Sequence, residues 1–314
     1  MEEMLGSESQ RHVLASNEST MISTTIRRKA RQFGTLVGHS ALTSRTGKSR
    51  KPVLVSREQL GVTFIGHSSF LLQIGGKNLV IDPNFAQWIF VLKRLRCPGL
   101  HMRDLPAIDA VLVTHAHFDH LHRPSLRTIA RLSRRKSGRR PMIIVPRQLR
   151  DLVADLGFSR VIELEWWQSV QVGNIEVTHT PSRHWGARVI RDVHRGYGGY
   201  VIRSGKHSIY HAGDTAYFNG FTEIGARLNP ELALLPIGAY HPESFRNVHS
   251  SPEDALQAFG DLGSQWMVPM HYGTFRLSYE PVEEPVPRLL REAQRLGIMD
   301  RVRVMEEGVT QIFD

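Results

Sequence analysis

From about residue 62 onward, short apolar runs alternate with segments of helical periodicity. Residues 62–65 and 69–74 read as strands, and Gly75-Gly76 ahead of a further run at 78–83 is a hairpin signal. Apolar runs at 110–114, 142–145, 175–178, 200–202, 232–235 and 267–268 have the length of buried strands. Helical patterns fall between them at about 124–136, 147–156, 252–260 and 284–296. In the first of these, Leu126, Ile129, Ala130 and Ser133 share one face with arginines opposite, Pro124 suits a first turn, and Gly138 marks a stop. Strands and helices mixed at this spacing predict an α/β protein, with two sheets or one large sheet covered by helices. No fixed-period repeat is present, and residues 58–314 read as one domain.

Composition changes the picture in two ways. The chain has 314 residues, a net charge of +10, sixteen histidines and one cysteine, Cys97. A single cysteine excludes an intrachain disulfide framework, and any metal site here needs histidine and carboxylate ligands. No apolar run is long enough to span a bilayer. The positive charge suggests an anionic partner, but it is local. Residues 1–57 carry ten basic against four acidic side chains, and residues 123–150 carry ten basic and no acidic ones. The remainder is neutral or acidic.

Residues 1–57, with the run Arg27-Arg28-Lys29-Ala30-Arg31, read as a basic, mobile N-terminal extension; Met21 is an alternative start. The extension lacks the apolar core of a secretory signal, so a cytoplasmic protein is expected. The arginine-rich helix reads either as a solvated face or as a cationic rim for an anionic substrate or an acidic membrane. The apolar segment 85–94 has two readings as well. It rests on lipid, with Lys93, Arg94 and Arg96 near phosphates, or it is buried in a homodimer or under the site rim. No aromatic–basic interleaving supports nucleic-acid binding, which makes a nuclease the weaker expectation.

The most informative segment is Thr114-His115-Ala116-His117-Phe118-Asp119-His120-Leu121-His122, directly after an apolar strand. Four histidines and an aspartate in eight positions at a strand end are a metal-binding cluster, since a stiff support leaves the donors little entropy to lose. Such clustering suits a hydrolase with two ions sharing a water.

This His-x-His-x-Asp-His motif resembles the signature of the metallo-β-lactamase-fold hydrolases. Gly66-His67-Ser68-Ser69, Asp82-Pro83-Asn84-Phe85, Pro181-Ser182-Arg183-His184-Trp185, Ala212-Gly213-Asp214-Thr215, Ser251-Pro252-Glu253-Asp254 and His271-Tyr272-Gly273-Thr274 follow in an order that narrows it. Together they resemble the branch of N-acylphosphatidylethanolamine-hydrolysing phospholipase D and its bacterial relatives, over about residues 60–310. The resemblance implies a four-layer αββα sandwich and two zinc ions. His115, His117 and His184 would hold the first, Asp119, His120 and His271 the second, and Asp214 both. Asp119 and Asp214 would also serve catalysis, and His249 would line the site near the substrate. His179 is a rival to His184, but the position of His184 within Pro-Ser-Arg-His-Trp matches the family ligand. His122 departs from the family pattern, which often has an aspartate there.

The expected activity is hydrolysis of an anionic, lipid-like phosphodiester by a hydroxide generated between the zinc ions. A lactonase or carboxylic ester hydrolase acting on a small anionic metabolite is the alternative. A non-catalytic binding protein is disfavoured by the complete ligand set. Peripheral membrane contact and a homodimer are further expectations.

Overall fold

The computed structural model describes residues 41–189 and 192–313, with isolated positions between 31 and 38. Residues 1–30, which hold Met21 and most of the first cationic run, lie outside the described residues. The chain divides into two units, 1–43 and 44–314. In the first, described positions between 31 and 42 are helical, and the Thr35 hydroxyl donates to the Arg31 carbonyl at 3.0 Å.

The second unit begins at Ser44, so residues 44–57 belong with the body rather than with the mobile extension to which the sequence reading assigned them. Thr46 and Arg50 form bridges to Arg96 and Leu100, and the Ser49 hydroxyl donates to the Pro98 carbonyl at 2.7 Å. Backbone bridges and one serine hydroxyl therefore fasten a segment whose lack of apolar periodicity reads as loose chain.

In chain order the unit comprises β1 (Leu60–Gly66), β2 (Ser69–Ile74), β3 (Lys77–Ile81), β4 (Trp88–Ile89), β5 (Leu92–Lys93), β6 (Ala110–Leu112), α1 (Arg123–Ser137), β7 (Met142–Pro146), α2 (Arg150–Val153) and β8 (Val161–Leu164). There follow β9 (Ser169–Val172), β10 (Ile175–Thr180), β11 (Gly199–Ser204), β12 (His207–His211), α3 (Gly220–Leu228), β13 (Leu232–Pro236), α4 (Pro252–Leu262), β14 (Trp266–Met270), α5 (Pro285–Arg295) and β15 (Thr310–Phe313). The first sheet has the order β15-β1-β2-β3-β6-β7-β8 and the second β14-β13-β12-β11-β10-β9, while β4 and β5 pair as a separate hairpin. In each sheet antiparallel strands give way to parallel ones, at β3–β6 in the first and β12–β13 in the second.

Strand alternation explains the layers. Val62, Phe64, Phe70, Leu72, Leu79, Ile81 and Leu112 point between the sheets and pack with Val177, Ile202, Ile209 and Leu234. Their neighbours Ile65, Leu71, Val80 and Val111 point outward and meet Leu126 and Ile129 of α1. Burial on both faces is why these strands appear as continuous apolar runs. The buried face of α1 is Ser125, Leu126, Ile129, Ala130 and Ser133, the face its periodicity predicts, and Gly138 caps the helix. Helices α3 and α4 cover the second sheet with Phe221, Ile224, Leu256 and Phe259. Two facing sheets with helices outside form the αββα sandwich that the resemblance implies.

Strand direction positions the chemistry. The segments that follow β3, β6, β10, β12, β13 and β14 leave the sheets at one edge of the sandwich, where loops carry function in α/β proteins. Hydrogen bonds join the sheets there, among them Tyr200 Oη donating to the Val113 carbonyl and His211 Nε2 to the Ser68 carbonyl, both at 2.9 Å.

Candidate metal centre

Directly after β3, Asp82 is fully buried with a positive φ of 44°. Its carboxylate accepts from the Thr114 amide at 2.7 Å, the Thr114 hydroxyl at 2.6 Å and His120 Nδ1 at 2.7 Å. A carboxylate can only accept, so His120 Nδ1 carries a proton and Nε2, the nitrogen left for a metal, faces inward. The Thr114 hydroxyl, already donating to Asp82, accepts from His115 Nδ1 at 2.9 Å, which turns the Nε2 lone pair of His115 inward too. His184 Nδ1 donates to the Val248 carbonyl at 2.9 Å with the same result. Three of the proposed ligands thus have ring orientation and tautomer fixed from outside, as metal-binding histidines require.

The inward nitrogens converge in two groups. His117 Nδ1 lies 2.9 Å from His115 Nε2 and 3.3 Å from His184 Nε2. Asp214 Oδ2 stands 3.9 Å from both of those Nε2 atoms. On its other side Asp214 reaches His120 Nε2 at 3.3 Å and His271 Nε2 at 3.0 Å. Asp119 Oδ2 completes the second group, 3.5 Å from His120 Nε2 and 3.6 Å from His271 Nε2. Each group could hold an ion, with Asp214 between them, and His67 also brings a ring nitrogen within 4.8 Å of the donors of Asp119, His120 and His271. The tight turn behind Asp214 needs Gly213: at φ 64° it approaches Thr114 and the Gly198 carbonyl so closely that a Cβ would sit 2.7 Å from that oxygen.

The buried polar atoms test whether a cation fits. His120 Nε2, His271 Nε2 and Asp214 Oδ1 have no hydrogen-bond partner, although each is buried. In the first group, His117 Nδ1 can donate to only one of the two lone pairs that face it. Buried nitrogens and a carboxylate oxygen with no hydrogen-bond partner, aimed at a common point, fit a cation that would take the place of the protons between them. The electrostatics agree. Burial holds His115 and His184 well below the usual histidine range and lowers His117, leaving neutral donors. Burial works against ionisation of Asp119 and Asp214, but neighbouring histidines, His120 foremost, outweigh it and hold both well below the carboxylate range. Burial likewise opposes protonation of His120 and His271, yet Asp214 and Asp119 outweigh it, holding His120 well above the usual histidine range and raising His271 to about 9. Two anionic carboxylates thus draw positive charge into a buried site.

All seven residues named from the sequence as metal donors meet here. His249 joins them, its Nδ1 3.9 Å from Asp214 Oδ2 and its ring stacked on His271 at 5.3 Å. His179 stands apart, buried against Tyr200 at 5.1 Å. His122 precedes α1, with Nδ1 2.7 Å from the Ser125 hydroxyl, and belongs to neither group. Sequence reasoning gave no role to Asp82, Thr114 or His67, although each closes an apolar strand or its exit, the position from which the ligands themselves project.

Exposed apolar side chains flank the donors. Phe90, at the β4–β5 turn, is 73% exposed, with Trp88 at 49% and Val91 at 46%. The Phe90 ring meets Phe118 at 4.3 Å, between His117 and Asp119 in the chain, and the Arg188 guanidinium lies 3.9 Å over Phe118. On the other side Trp185, 43% exposed, packs 4.8 Å from His117 and 4.3 Å from His184. Among the described residues no helix is long and apolar enough to cross a membrane.

Comparison with known proteins adds to this geometry. The profile of the Beta-lactamase superfamily domain matches residues 77–272. An uncharacterized protein of Mycobacterium tuberculosis is 36% identical over 247 residues, which are 75% of this chain and 64% of that protein. The mitochondrial N-acyl-phosphatidylethanolamine-hydrolyzing phospholipase D of Saccharomyces cerevisiae is 32% identical over 266 residues, 80% of this chain and 56% of the yeast protein. The match thus spans less than two thirds of either relative. Among solved structures, Igni18, a metallo hydrolase of Ignicoccus hospitalis, superimposes with a TM-score of 0.61 at 25% identity, covering 82% of this chain and 99% of its own.

Proposed function

We infer that this chain, which belongs to the beta-lactamase superfamily, is a metal-dependent hydrolase, and we propose that it is a zinc phosphodiesterase of phospholipase D type acting on an anionic, lipid-like substrate. In this reading His115, His117 and His184 hold one ion, Asp119, His120 and His271 the other, and Asp214 both. Five imidazoles and two carboxylates, with no thiolate, suit zinc. Zinc bound there would bring the pKa of a water toward neutrality and polarise a phosphoryl oxygen of the phosphorus under attack.

The side chains supply the rest. Asp214 Oδ2, between the two groups, orients the attacking water, and Asp119 assists its proton. His249, with Nδ1 unpartnered, lines the substrate side and offers a hydrogen bond to the leaving oxygen. Asp82 and Thr114 keep His115 and His120 aimed while charge moves.

The observation that carries the choice of substrate is the rim. Phe90, Trp88, Val91 and Trp185 expose apolar surface beside the donors, and Arg188 adds a cation over Phe118. A small polar metabolite has no use for such a rim, whereas a substrate with acyl chains and a phosphodiester uses both parts. Peripheral contact of this rim with a lipid surface belongs to the proposal. The phospholipase D activity named for the yeast relative supports it.

A turnover screen with metal content measured alongside tests this reading. Zinc-loaded protein is expected to cleave bis(p-nitrophenyl) phosphate and an N-acylated phosphatidylethanolamine in mixed micelles, and to leave lactones untouched. Lactone or carboxylic ester turnover without phosphodiester cleavage would replace the proposal by its alternative.

A further inference from the structure

His67 stands at the seam between the sheets, in the turn from β1 to β2, and belongs to neither ligand set drawn above. Its ring is nevertheless among the donors. His67 Nε2 lies 2.9 Å from Asp119 Oδ2, closer than Nε2 of His120 at 3.5 Å or of His271 at 3.6 Å. Because the carboxylate accepts, Nε2 carries the proton, while Nδ1 has no hydrogen-bond partner. The ring therefore donates one hydrogen bond, and it goes to a proposed ligand.

The backbone of the same residue holds a second ligand. At φ 61°, a conformation unusual for a residue with a side chain, the His67 amide donates to Thr274 Oγ1 at 2.8 Å and its carbonyl accepts from the His271 amide at 2.8 Å. The His67 ring lies 4.3 Å from the His271 ring and meets the edge of Phe275 at 5.4 Å. Asp119 follows a strand of the first sheet and His271 a strand of the second. His67 grips both, one through its side chain and one through its main chain. A left-handed residue fixed on both sides is where strain is retained because the surroundings over-determine it.

We propose that His67 is a positioning residue that holds Asp119 and His271 in register across the sheet seam, and so sets the affinity of the second ion without ligating it. The assignment rests on the two-ion reading above. Partners outside the ligands typically change metal affinity by about 10–100-fold. The effect falls on the Asp119–His120–His271 group, because His67 makes no hydrogen bond to His115, His117 or His184.

Two substitutions separate positioning from other roles. In His67→Gln the side-chain amide nitrogen lies near the place of Nε2 and can still donate to Asp119. In His67→Asn it lies near the place of Nδ1 and falls short, while asparagine tolerates the left-handed backbone. Full-length protein stripped of metal is titrated with Zn²⁺ against a chromophoric chelator, and thermal midpoints are recorded for each variant. The wild type is expected to take two ions. His67→Asn should keep the tighter ion and bind the other about 10–100-fold more weakly, and His67→Gln should recover most of the loss. Wild-type affinities in His67→Asn would overturn the assignment and leave the two-ion reading standing. Equal weakening of both ions, or a loss that His67→Gln does not repair, would overturn it in favour of a structural or ligating role. A wild type that takes up fewer than two ions would overturn the two-ion reading and the assignment with it.

Discussion

Replacing Asp82 by asparagine should disable the second ligand group without touching a proposed ligand. In the native arrangement one buried carboxylate accepts from the Thr114 amide, the Thr114 hydroxyl and His120 Nδ1, all within 2.7 Å. Asparagine can keep the bond from the Thr114 amide, but its NH₂ then faces the hydroxyl and the imidazole, both donors. The hydroxyl can rotate. To bind metal, His120 would then have to carry its proton on Nε2 rather than Nδ1, and Nε2 would have no lone pair to offer a cation. Each buried donor left unmatched costs about 1–3 kcal/mol; with the hydroxyl free to rotate, the imidazole sets the loss of stability at about 1–3 kcal/mol. Loss of the correct tautomer should weaken the second ion about 10–100-fold. Urea unfolding of the metal-free protein measures the first quantity and chelator competition the second. An Asp82→Asn protein with native stability and both ions at native affinity would refute the argument that this network orients His120.

Other perturbations probe other parts of the account. Phe64→Ala removes a fully buried ring between the sheets, 5.0 Å from Phe70, and should cost about 3–5 kcal/mol in urea unfolding. Burial pushes His179 down to about 4 from an ordinary 6.5, so the unfolded chain takes up its proton first. Its contribution, on the order of 3 kcal/mol, is complete above about pH 6.5 and is lost as the pH falls toward 4. His179→Gln should therefore lose less stability than the wild type between pH 7 and pH 4.5, and parallel slopes would contradict this. The double variant Trp88→Ser and Phe90→Ser should keep hydrolysis of a soluble phosphodiester within about twofold. It should lose about tenfold or more on a vesicle-borne substrate, given about 1.5–3 kcal/mol for each buried apolar side chain. Equal loss on both substrates would count against the rim as a lipid contact.

How much could be read in advance follows from where each signal comes from. Strands buried on both faces, such as β2, β6 and β7, announce themselves as apolar runs, and α1 announces itself by its buried face. The edge strands β8, β9 and β15 carry a mixture of apolar and polar residues, because one flank of each is solvated, and they escape the pattern. Helix α3 escapes because Gly220 and Gly225 lower its helical propensity. Gly225 is needed for packing, since a Cβ there would come 2.6 Å from the Leu262 carbonyl. The helical pattern at 147–156 shrinks to α2 and one 3₁₀ turn, with Gln148 at φ 59° ahead of it.

At the site, the cluster from His115 to His120 is legible because adjacent residues share one strand exit. His184, Asp214 and His271 come from distant segments that only the fold brings together, so their assignment needed the resemblance. Asp82 and His67 act on ligands through hydrogen bonds between segments far apart in the chain, and no spacing rule reports that. A shared trait could have flagged them: each is a polar residue that closes an apolar strand in a left-handed turn.

If the seven converging donors bind two ions on which hydrolysis depends, metal and activity must be lost and regained together. Elemental analysis of purified protein, with phosphodiester turnover recorded on the same sample before and after chelation, tests it most directly. About two zinc ions per chain are expected, with activity lost with the metal and regained on its return, and both lost in Asp214→Ala. Protein that is free of metal and fully active would contradict it.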